Sequence, residues 1–294
     1  MSFSKDVKEE LSKISNLANK DLVKAELIGY LITNNAVVKG NNIKFSTESE
    51  YNINRFAKLL NNANILKYEI DIQGKVFSII IKQKIDFEEL DILDGNIVLN
   101  EKINQFCTNE AFQRSIVRGS FLGSGTLNNP ERIYHLEVIY SNLLNMNYIY
   151  EILNKSDIRM KNLNNSLYLK DGEEISKFLA FIGANNAVLK FEEIRVIRDM
   201  KNNVNRIVNC ETANLNKTIN AALEQIENIK LIKKLNKFHE LSPNLQEMAE
   251  LRLEHPEASL IELGQMLDNP IGKSGVNYRL KAINEFANEL RRGK

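Results

Sequence analysis

The segment DNPIGKSGVNYRLK, residues 268–281, predicts a turn followed by the start of a helix. Pro270 and Gly272 are typical of a turn, and we expect Ser274 to cap the helix that follows. Apolar side chains then recur at steps of three and four residues, which predicts one buried helix face. The residues of that face are Val276, Leu280, Ile283, Ala287 and Leu290.

Two more helices are predicted upstream of this one. Ser242-Pro243 is a typical helix start, with proline in the first turn. Ser259 followed by Glu262 forms a capping box, which opens a second helix. Three short helices of this kind match a helix-turn-helix, whose second motif helix enters the major groove of DNA. We therefore predict an all-α helix-turn-helix domain at residues 241–294, with the motif spanning Ser259 to Arg292.

The outer side of the last helix carries the candidate DNA contacts. Its polar residues lie opposite the apolar face, and those in the first turns are expected to point toward bases. Lys273 and Arg279 could contact phosphates or guanine edges, and both alternatives stay open. The alternative for the whole surface is a solvated helix face without a partner. The predicted contacts to double-stranded DNA are Lys273, Ser274, Asn277, Tyr278, Arg279 and Lys281.

The charge pattern of this region favours a nucleic-acid partner. From Ser242 to Asp268 there is one basic residue against six acidic ones, and from Lys273 to Lys294 there are six basic residues against two acidic ones. Such a switch suits a small domain that presents only its last helix to a polyanion. The whole chain of 294 residues has a net charge of +1, which argues against a protein that coats DNA by charge alone.

Residues 1–190 are predicted to contain an internal repeat, with one copy over about 1–95 and the other over 101–190. In each half an apolar helix, a strand pair, an amphipathic helix and further strands follow in the same order. Gly40-Asn41 predicts a hairpin turn, and Asp86 to Leu93 is predicted to form a short closing helix. This order predicts an α+β domain with two-fold pseudo-symmetry. A sheet in each half would leave a saddle between them, about as wide as a nucleic-acid duplex.

A polar, helix-favouring stretch at residues 191–240 separates these two regions. From Leu215 onward, Ile219, Leu223 and Ile226 recur at three- and four-residue steps, which predicts an amphipathic helix. We therefore predict a helical linker with few long-range apolar contacts between two separable domains.

One apolar helix in each repeat resembles the paired helices of the LAGLIDADG homing endonucleases. The two segments are LIGYLITNN, residues 27–35, and VRGSFLGSG, residues 117–125. In that family each helix ends with an acidic residue that holds a divalent metal at the scissile phosphate. The matching positions here are Asn34 and Ser124, which are neutral, whereas Mg²⁺ needs anionic oxygen ligands. We therefore expect a degenerate LAGLIDADG-like domain without metal, cofactor or cleavage, whose glycines, such as Gly119, let two helices approach closely.

Other classes of function find little support. No run of eighteen apolar residues occurs, and the N-terminus lacks the core of a signal peptide, so we expect a cytoplasmic protein with no membrane partner. Cys107 and Cys210 lie far apart and are expected to be reduced thiols. The three histidines have no metal-ligand spacing and no neighbouring nucleophile, so we expect a protein that is not an enzyme.

Several segments together resemble the WhiA family of bacterial regulators. They are Met1–Ser4 with Val7–Leu11, Val117–Thr126 followed by Tyr134–Glu137, Asn205–Lys217, and GKSGVN at 272–277 with Arg279-Leu280. The resemblance implies a nucleoid-associated regulator of transcription with a role in cell division, chromosome segregation and, in spore formers, sporulation. Two alternatives stay open: a scaffold that binds a transcription or cell-division protein, and a metal-dependent DNA endonuclease. The sequence leaves the oligomeric state open.

Overall fold

The N-terminal unit ends at Met200 and contains two repeats of helices and antiparallel strands. The computed structural model describes residues 2–293. The first repeat comprises α1 (Phe3–Ser12), α2 (Lys20–Leu31), β1 (Ala36–Lys39), β2 (Asn42–Thr47), α3 (Glu50–Asn62), β3 (Tyr68–Gln73), β4 (Val76–Ile81), β5 (Leu90–Leu93), β6 (Asn96–Leu99) and α4 (Lys102–Phe106). The second repeat comprises α5 (Glu110–Ser124), β7 (Thr126–Leu127), β8 (Leu136–Ile139), α6 (Leu143–Lys155), β9 (Lys161–Leu163), β10 (Ser166–Leu169) and α7 (Gly172–Ile182).

Each repeat forms a four-stranded antiparallel sheet, and the strand order is the same in both. The orders are β1-β2-β4-β3 and β7-β8-β10-β9. In the first sheet Gly40 and Gly74 form the tight turns at positive φ, where a side chain would be strained. The predicted α+β architecture with two-fold pseudo-symmetry is confirmed.

The segment predicted as a short helix at residues 86–93 is instead part of an additional hairpin, β5–β6. Leu90 to Leu93 pair in antiparallel register with Asn96 to Leu99. Asp94 and Gly95 between them have φ values of 49° and 74°, as a type I′ hairpin turn requires. The helix prediction was wrong because it overlooked this Asp-Gly pair, which lies between two short apolar runs and favours a hairpin.

The helices α2 and α5 pack closely against each other through two glycines. A Cβ atom on Gly119 would lie 2.0 Å from the carbonyl oxygen of Glu26, and one on Gly29 would lie 2.1 Å from that of Ile116. Neither position has room for a side chain, since a backbone atom cannot move aside cheaply. The predicted close approach of the two apolar helices is confirmed, and Gly29 belongs to it as well.

A buried cluster of charged residues lies beside this helix crossing. The fully buried carboxylate of Glu26 accepts hydrogen bonds from Arg55 Nε at 2.8 Å and from Arg118 Nε at 3.1 Å. Asn16 Nδ2 donates a further bond to it at 3.0 Å. Because Arg55 lies on α3 and Arg118 on α5, this one carboxylate connects the two repeats.

A single helix of 50 residues, α8 (Asn185–Lys234), covers most of the predicted linker and confirms its helical character. The carboxylate of Glu10, on α1, accepts hydrogen bonds from the backbone N–H groups of Asn186 and Ala187 at 2.8 and 2.9 Å. Glu10 therefore caps the start of α8 from another helix. Farther along, residues 201–221 are all exposed.

Replacing Glu10 by alanine should destabilise the N-terminal unit by about 1 kcal/mol, because two N–H groups at a positive helix end lose their acceptor. Hydrogen exchange measured by mass spectrometry should accelerate in the first turns of α8. The matched control is Glu9→Ala, since Glu9 makes only an exposed ion pair with Lys13 and should change stability by a few tenths of a kcal/mol. Equal exchange in the two variants would contradict the capping role.

The C-terminal unit begins at Lys201 and contains residues 201–234 of α8, a short 3-10 helix (Phe238–Glu240) and three further α-helices. These are α9 (Pro243–Glu254), α10 (Leu260–Met266) and α11 (Lys273–Arg291). Their core includes Ile229 and Ile232 of α8 together with Leu241, Met248, Ala249, Leu263, Leu267, Val276, Leu280, Ile283 and Ala287. The domain boundary at residue 241 stays a prediction, and a fragment that started there would lack two core isoleucines. None of the described helices is long and apolar enough to cross a membrane.

Candidate nucleic-acid interface

The turn between α10 and α11 folds back onto α10 at a glycine. The backbone N–H of Ile271 donates a hydrogen bond to the carbonyl oxygen of Gly264 at 3.0 Å. A Cβ atom on Gly264 would lie 2.3 Å from the carbonyl oxygen of Ile271, so a larger residue would push the turn away. This contact fixes the angle at which α11 leaves the turn.

The two helices of the predicted helix-turn-helix motif, α10 and α11, are capped differently at their N-termini. The predicted capping box of α10 is present: Glu262 Oε2 accepts from Ser259 N at 2.7 Å, and Ser259 Oγ accepts from Glu262 N at 3.3 Å. The prediction that Ser274 caps α11 is wrong, because Gly272 occupies the N-cap position and Ser274 lies in the first turn. Since glycine offers no capping side chain, the first backbone N–H groups of α11 are free to meet an anionic group such as a phosphate.

Five of the six predicted DNA contacts are exposed residues on α11. Tyr278 is 75% exposed, and Lys273, Ser274, Asn277 and Lys281 are exposed as well. Lys281 Nζ lies 3.7 Å from Glu285 Oε1, a solvated pair that leaves the ammonium group accessible. The structure therefore brings these five side chains together along the solvent side of one helix.

The sixth predicted contact, Arg279, packs against α9. Its NH1 atom lies 3.6 Å from Glu247 Oε2 and donates a hydrogen bond to the carbonyl oxygen of Asn244 at 3.4 Å. The other carboxylate oxygen of Glu247 accepts from the backbone N–H of Asp268, in the turn, at 3.0 Å. Glu247 thus joins α9 to both the turn and α11, which the sequence could not indicate because the partners lie far apart in the chain. We infer that Arg279 positions α11.

The two positions that match the metal-binding residues of LAGLIDADG endonucleases contact the second sheet. The buried hydroxyl of Ser124 donates to the carbonyl oxygen of Ile139 at 2.6 Å and accepts from its N–H at 3.1 Å. Asn34 is exposed, and its backbone N–H donates to the same carbonyl oxygen at 3.3 Å. Between residues 2 and 293, no group of three His, Cys, Asp or Glu residues could hold a metal ion. Both positions therefore anchor the end of β8.

The open faces of the two sheets, which point away from the buried helices, carry balanced charge on their strands. Paired residues of antiparallel strands point to the same side, so the pairing register assigns each charged residue to a face. The charged strand residues on the open faces are Lys39, Lys44, Glu69 and Asp71 in the first sheet and Glu137 and Lys161 in the second. These strands offer no excess of positive charge to a nucleic-acid backbone.

Fold and site together define a class of protein in which a degenerate LAGLIDADG-like domain is followed by a helix-turn-helix domain. Family models match residues 113–201 as the WhiA LAGLIDADG-like domain and residues 204–287 as the WhiA C-terminal HTH domain. The chain belongs to the WhiA family, as its sequence segments indicated.

Relatives from two bacteria match the whole chain. The probable cell division protein WhiA of Enterococcus faecalis is 41% identical, with 99% of both chains covered. The protein of the same name from Staphylococcus aureus is 38% identical and covers 100% of this chain and 99% of its own length. The crystal structure of full-length DUF199/WhiA from Thermatoga maritima is 26% identical, with a TM-score of 0.56 over 98% of this chain and 99% of that chain. The similarity therefore extends over both domains.

Proposed function

We propose that this chain is a DNA-binding regulator whose contacts to double-stranded DNA come from α11. The observation that carries the proposal is the division of α11 into two sides. One side packs into the core through Val276 and Leu280, while Lys273, Asn277 and Lys281 stand in solvent. A helix held rigidly by its apolar side, with polar and basic side chains free at its N-terminal turns, suits the major groove.

We further propose that the chain has no nuclease activity. Asn34 and Ser124 supply no carboxylate where the endonucleases place their metal ligands, and the hydroxyl of Ser124 already has two hydrogen-bond partners on Ile139. The balanced charge of the strand residues on the open sheet faces supports the same view, because DNA held in the saddle for cleavage would need a basic surface.

In cellular terms, we propose that the protein acts in cell division and chromosome segregation, and in sporulation where the organism forms spores, as a cytoplasmic, nucleoid-associated protein. Its relatives are named probable cell division proteins. Chromatin immunoprecipitation with sequencing tests this proposal. Discrete peaks that disappear with a Lys273→Ala, Asn277→Ala, Lys281→Ala variant are expected. A uniform background for both proteins would contradict a sequence-reading role.

Purified protein should leave supercoiled plasmid intact with Mg²⁺ or Mn²⁺, because the two positions that would hold the metal are neutral. Agarose electrophoresis of the plasmid after incubation over a range of protein concentrations measures this. Metal-dependent, saturable nicking that survives Asn34→Ala with Ser124→Ala would show that other residues hold a metal, and would overturn the proposal.

A second candidate function is a scaffold for a transcription or cell-division protein. It is favoured by exposed apolar side chains on α8, where Val204, Ile207, Val208 and Leu215 are each more than half exposed. If the scaffold were the main function, cells carrying the α11 triple variant would divide normally. Aspartate at Ile207 and Val208 would then cause the division defect instead.

A further inference from the structure

A cleft of about 770 Å³ lies within the C-terminal unit. One wall is the α8 segment from Leu215 to Ile226, and another is the connection from α9 into α10, residues 256–261. Lys273 and Asn277, at the start of α11, complete the lining. The volume is in the range of sites that hold small organic molecules.

The lining of the cleft is mostly apolar and its charge is mostly positive. Lys217, Arg252 and Lys273 are its basic residues, and Glu257 is its acidic one. An occupant that matches this lining combines an apolar body with a negatively charged group. The apolar side chains are Leu215, Ile219, Leu223, Ile226, Leu260 and Ile261.

Two lining residues are buried and have polar atoms without a partner. Gln225 is 8% exposed and Arg252 is 2% exposed, and neither Gln225 Oε1 nor Arg252 Nε has a hydrogen-bond partner. Arg252 NH1 donates to the carbonyl oxygens of Pro256 and Ala258, at 3.3 and 2.8 Å, and among the described residues its guanidinium forms no ion pair. Burial lowers the pKa of Arg252, and the charge of Glu257, in the same lining, opposes this only in part. Buried polar groups are satisfied in most folded proteins, and a buried cation normally has an anionic partner.

We propose that this cleft binds a small organic anion, an apolar chain or ring with one acidic head group, and that Arg252, whose Nε–H is an unpartnered donor, recognises the head. The apolar body lies along Ile219 and Leu223. Because Lys273 and Asn277 belong to the same lining, the bound anion changes DNA affinity by competing for Lys273 or by shifting α11. This last step rests on the proposed DNA-binding function, whereas binding of the anion does not.

The chain contains no tryptophan, so Ile261→Trp places a single fluorescent reporter at the cleft. The full-length Ile261→Trp protein is titrated, without DNA, with octanoate, octanol and inorganic phosphate. We expect a saturable blue shift with octanoate, binding of octanol that is about ten-fold weaker, and no response to phosphate. If octanol bound as tightly as octanoate, the proposed acidic head group would be refuted. If phosphate gave a response as strong as octanoate, the proposed apolar body would be refuted.

Two aspartate variants in the reporter background give a matched comparison. Ile219 lines the cleft and Ile207 does not, and both are exposed isoleucines on α8, at 45% and 58%. Ile219→Asp should weaken the binding of octanoate at least about ten-fold, while Ile207→Asp should leave octanoate binding unchanged. Equal binding by the two variants would overturn the site. Arg252→Gln should abolish the preference for octanoate over octanol, and the aspartate pair decides the question if that variant fails to fold.

Coupling to DNA is measured separately, by fluorescence anisotropy of a labelled duplex with and without saturating octanoate. A change in DNA affinity of several-fold is expected in the wild type and none in Ile219→Asp. Failure of the wild type to bind DNA even without octanoate would refute the proposed function and leave the octanoate titration standing. Unchanged DNA affinity with octanoate bound would refute the coupling alone.

Discussion

Replacing Glu26 by alanine should destabilise the N-terminal unit by about 3–5 kcal/mol, the usual cost of removing one partner from a buried ion pair. The variant leaves the guanidinium groups of Arg55 and Arg118 buried without a counter-charge. Arg55 alone makes two bonds to this carboxylate, from Nε at 2.8 Å and from NH2 at 3.0 Å. The loss should appear as faster hydrogen exchange throughout α2 and α5, because the carboxylate connects the two repeats.

The matched control for this variant is Glu69→Ala. Glu69 also pairs with a cation, Lys82, but both side chains are largely exposed, so the change in stability should stay below about 1 kcal/mol. A more demanding comparison replaces Glu26, Arg55 and Arg118 together by apolar residues of similar volume, which should recover much of the stability. Similar exchange rates in Glu26→Ala and Glu69→Ala would contradict the structural role of the cluster.

The same cluster predicts how stability changes with pH. Burial by itself raises the pKa of Glu26, but the hydrogen bond from Arg55 and the charges of Arg118 and Arg55 outweigh it, so the pKa ends below its ordinary value. Because the folded-state pKa is depressed, the stabilisation is complete above the unfolded-state pKa, about 4.3 for glutamate. It is lost as the pH falls through the lower, folded-state pKa. Glu26→Gln should therefore flatten the loss of stability of the N-terminal unit below about pH 4.

Local periodicity and turn chemistry were enough to predict most of the fold. The turn at Gly40 and the capping box at Ser259 depend on residues that are neighbours in the sequence, and the structure has both. The hairpin at Asp94-Gly95 depends on equally local information, and a stricter reading of the Asp-Gly pair would have found it. The two sheets with the same strand order follow from the internal repeat of residues 1–190, because each copy contains the same order of helices and strands.

Contacts between distant parts of the chain could not be predicted in this way. Glu26, Arg55 and Arg118 each look like ordinary surface charges, because nothing in their own segments shows that they meet. Arg279 is a similar case: its helical position places it on a flank of α11, and only the packing of α9 brings Glu247 beside it. A single sequence gives periodicity, whereas these pairings depend on how the helices pack.

The largest effect on DNA binding is expected from the triple variant Lys273→Ala, Asn277→Ala, Lys281→Ala. Loss of a side chain that reads a base edge costs about 1–3 kcal/mol on the cognate site. Each lost phosphate contact also flattens the dependence of affinity on salt by about one unit. We therefore expect the affinity to fall roughly a hundred-fold and the salt slope to fall by about two. Fluorescence anisotropy at several salt concentrations, on a duplex taken from an immunoprecipitation peak, measures both quantities.

Single variants separate the roles of these residues. Asn277→Ala should relax the preference at one base pair without changing the salt slope, whereas Lys273→Ala should weaken all sequences equally and lower the slope by about one. Arg279→Ala should leave the slope nearly unchanged and destabilise the C-terminal unit, because its guanidinium pairs with Glu247. A lower salt slope for Arg279→Ala would instead show that Arg279 contacts a DNA phosphate. Ser274 and Tyr278 remain predicted contacts.

A control triple variant removes the same residue types from an exposed surface of the N-terminal unit: Asn54→Ala, Lys58→Ala and Lys67→Ala. Both triple variants lower the net charge by two, so an effect of overall charge would weaken DNA binding in both. An effect of the interface would appear only in the α11 variant. If the α11 variant, folded by circular dichroism, bound DNA as well as the control did, the polar side of α11 would be a solvated surface and DNA would bind elsewhere on the molecule.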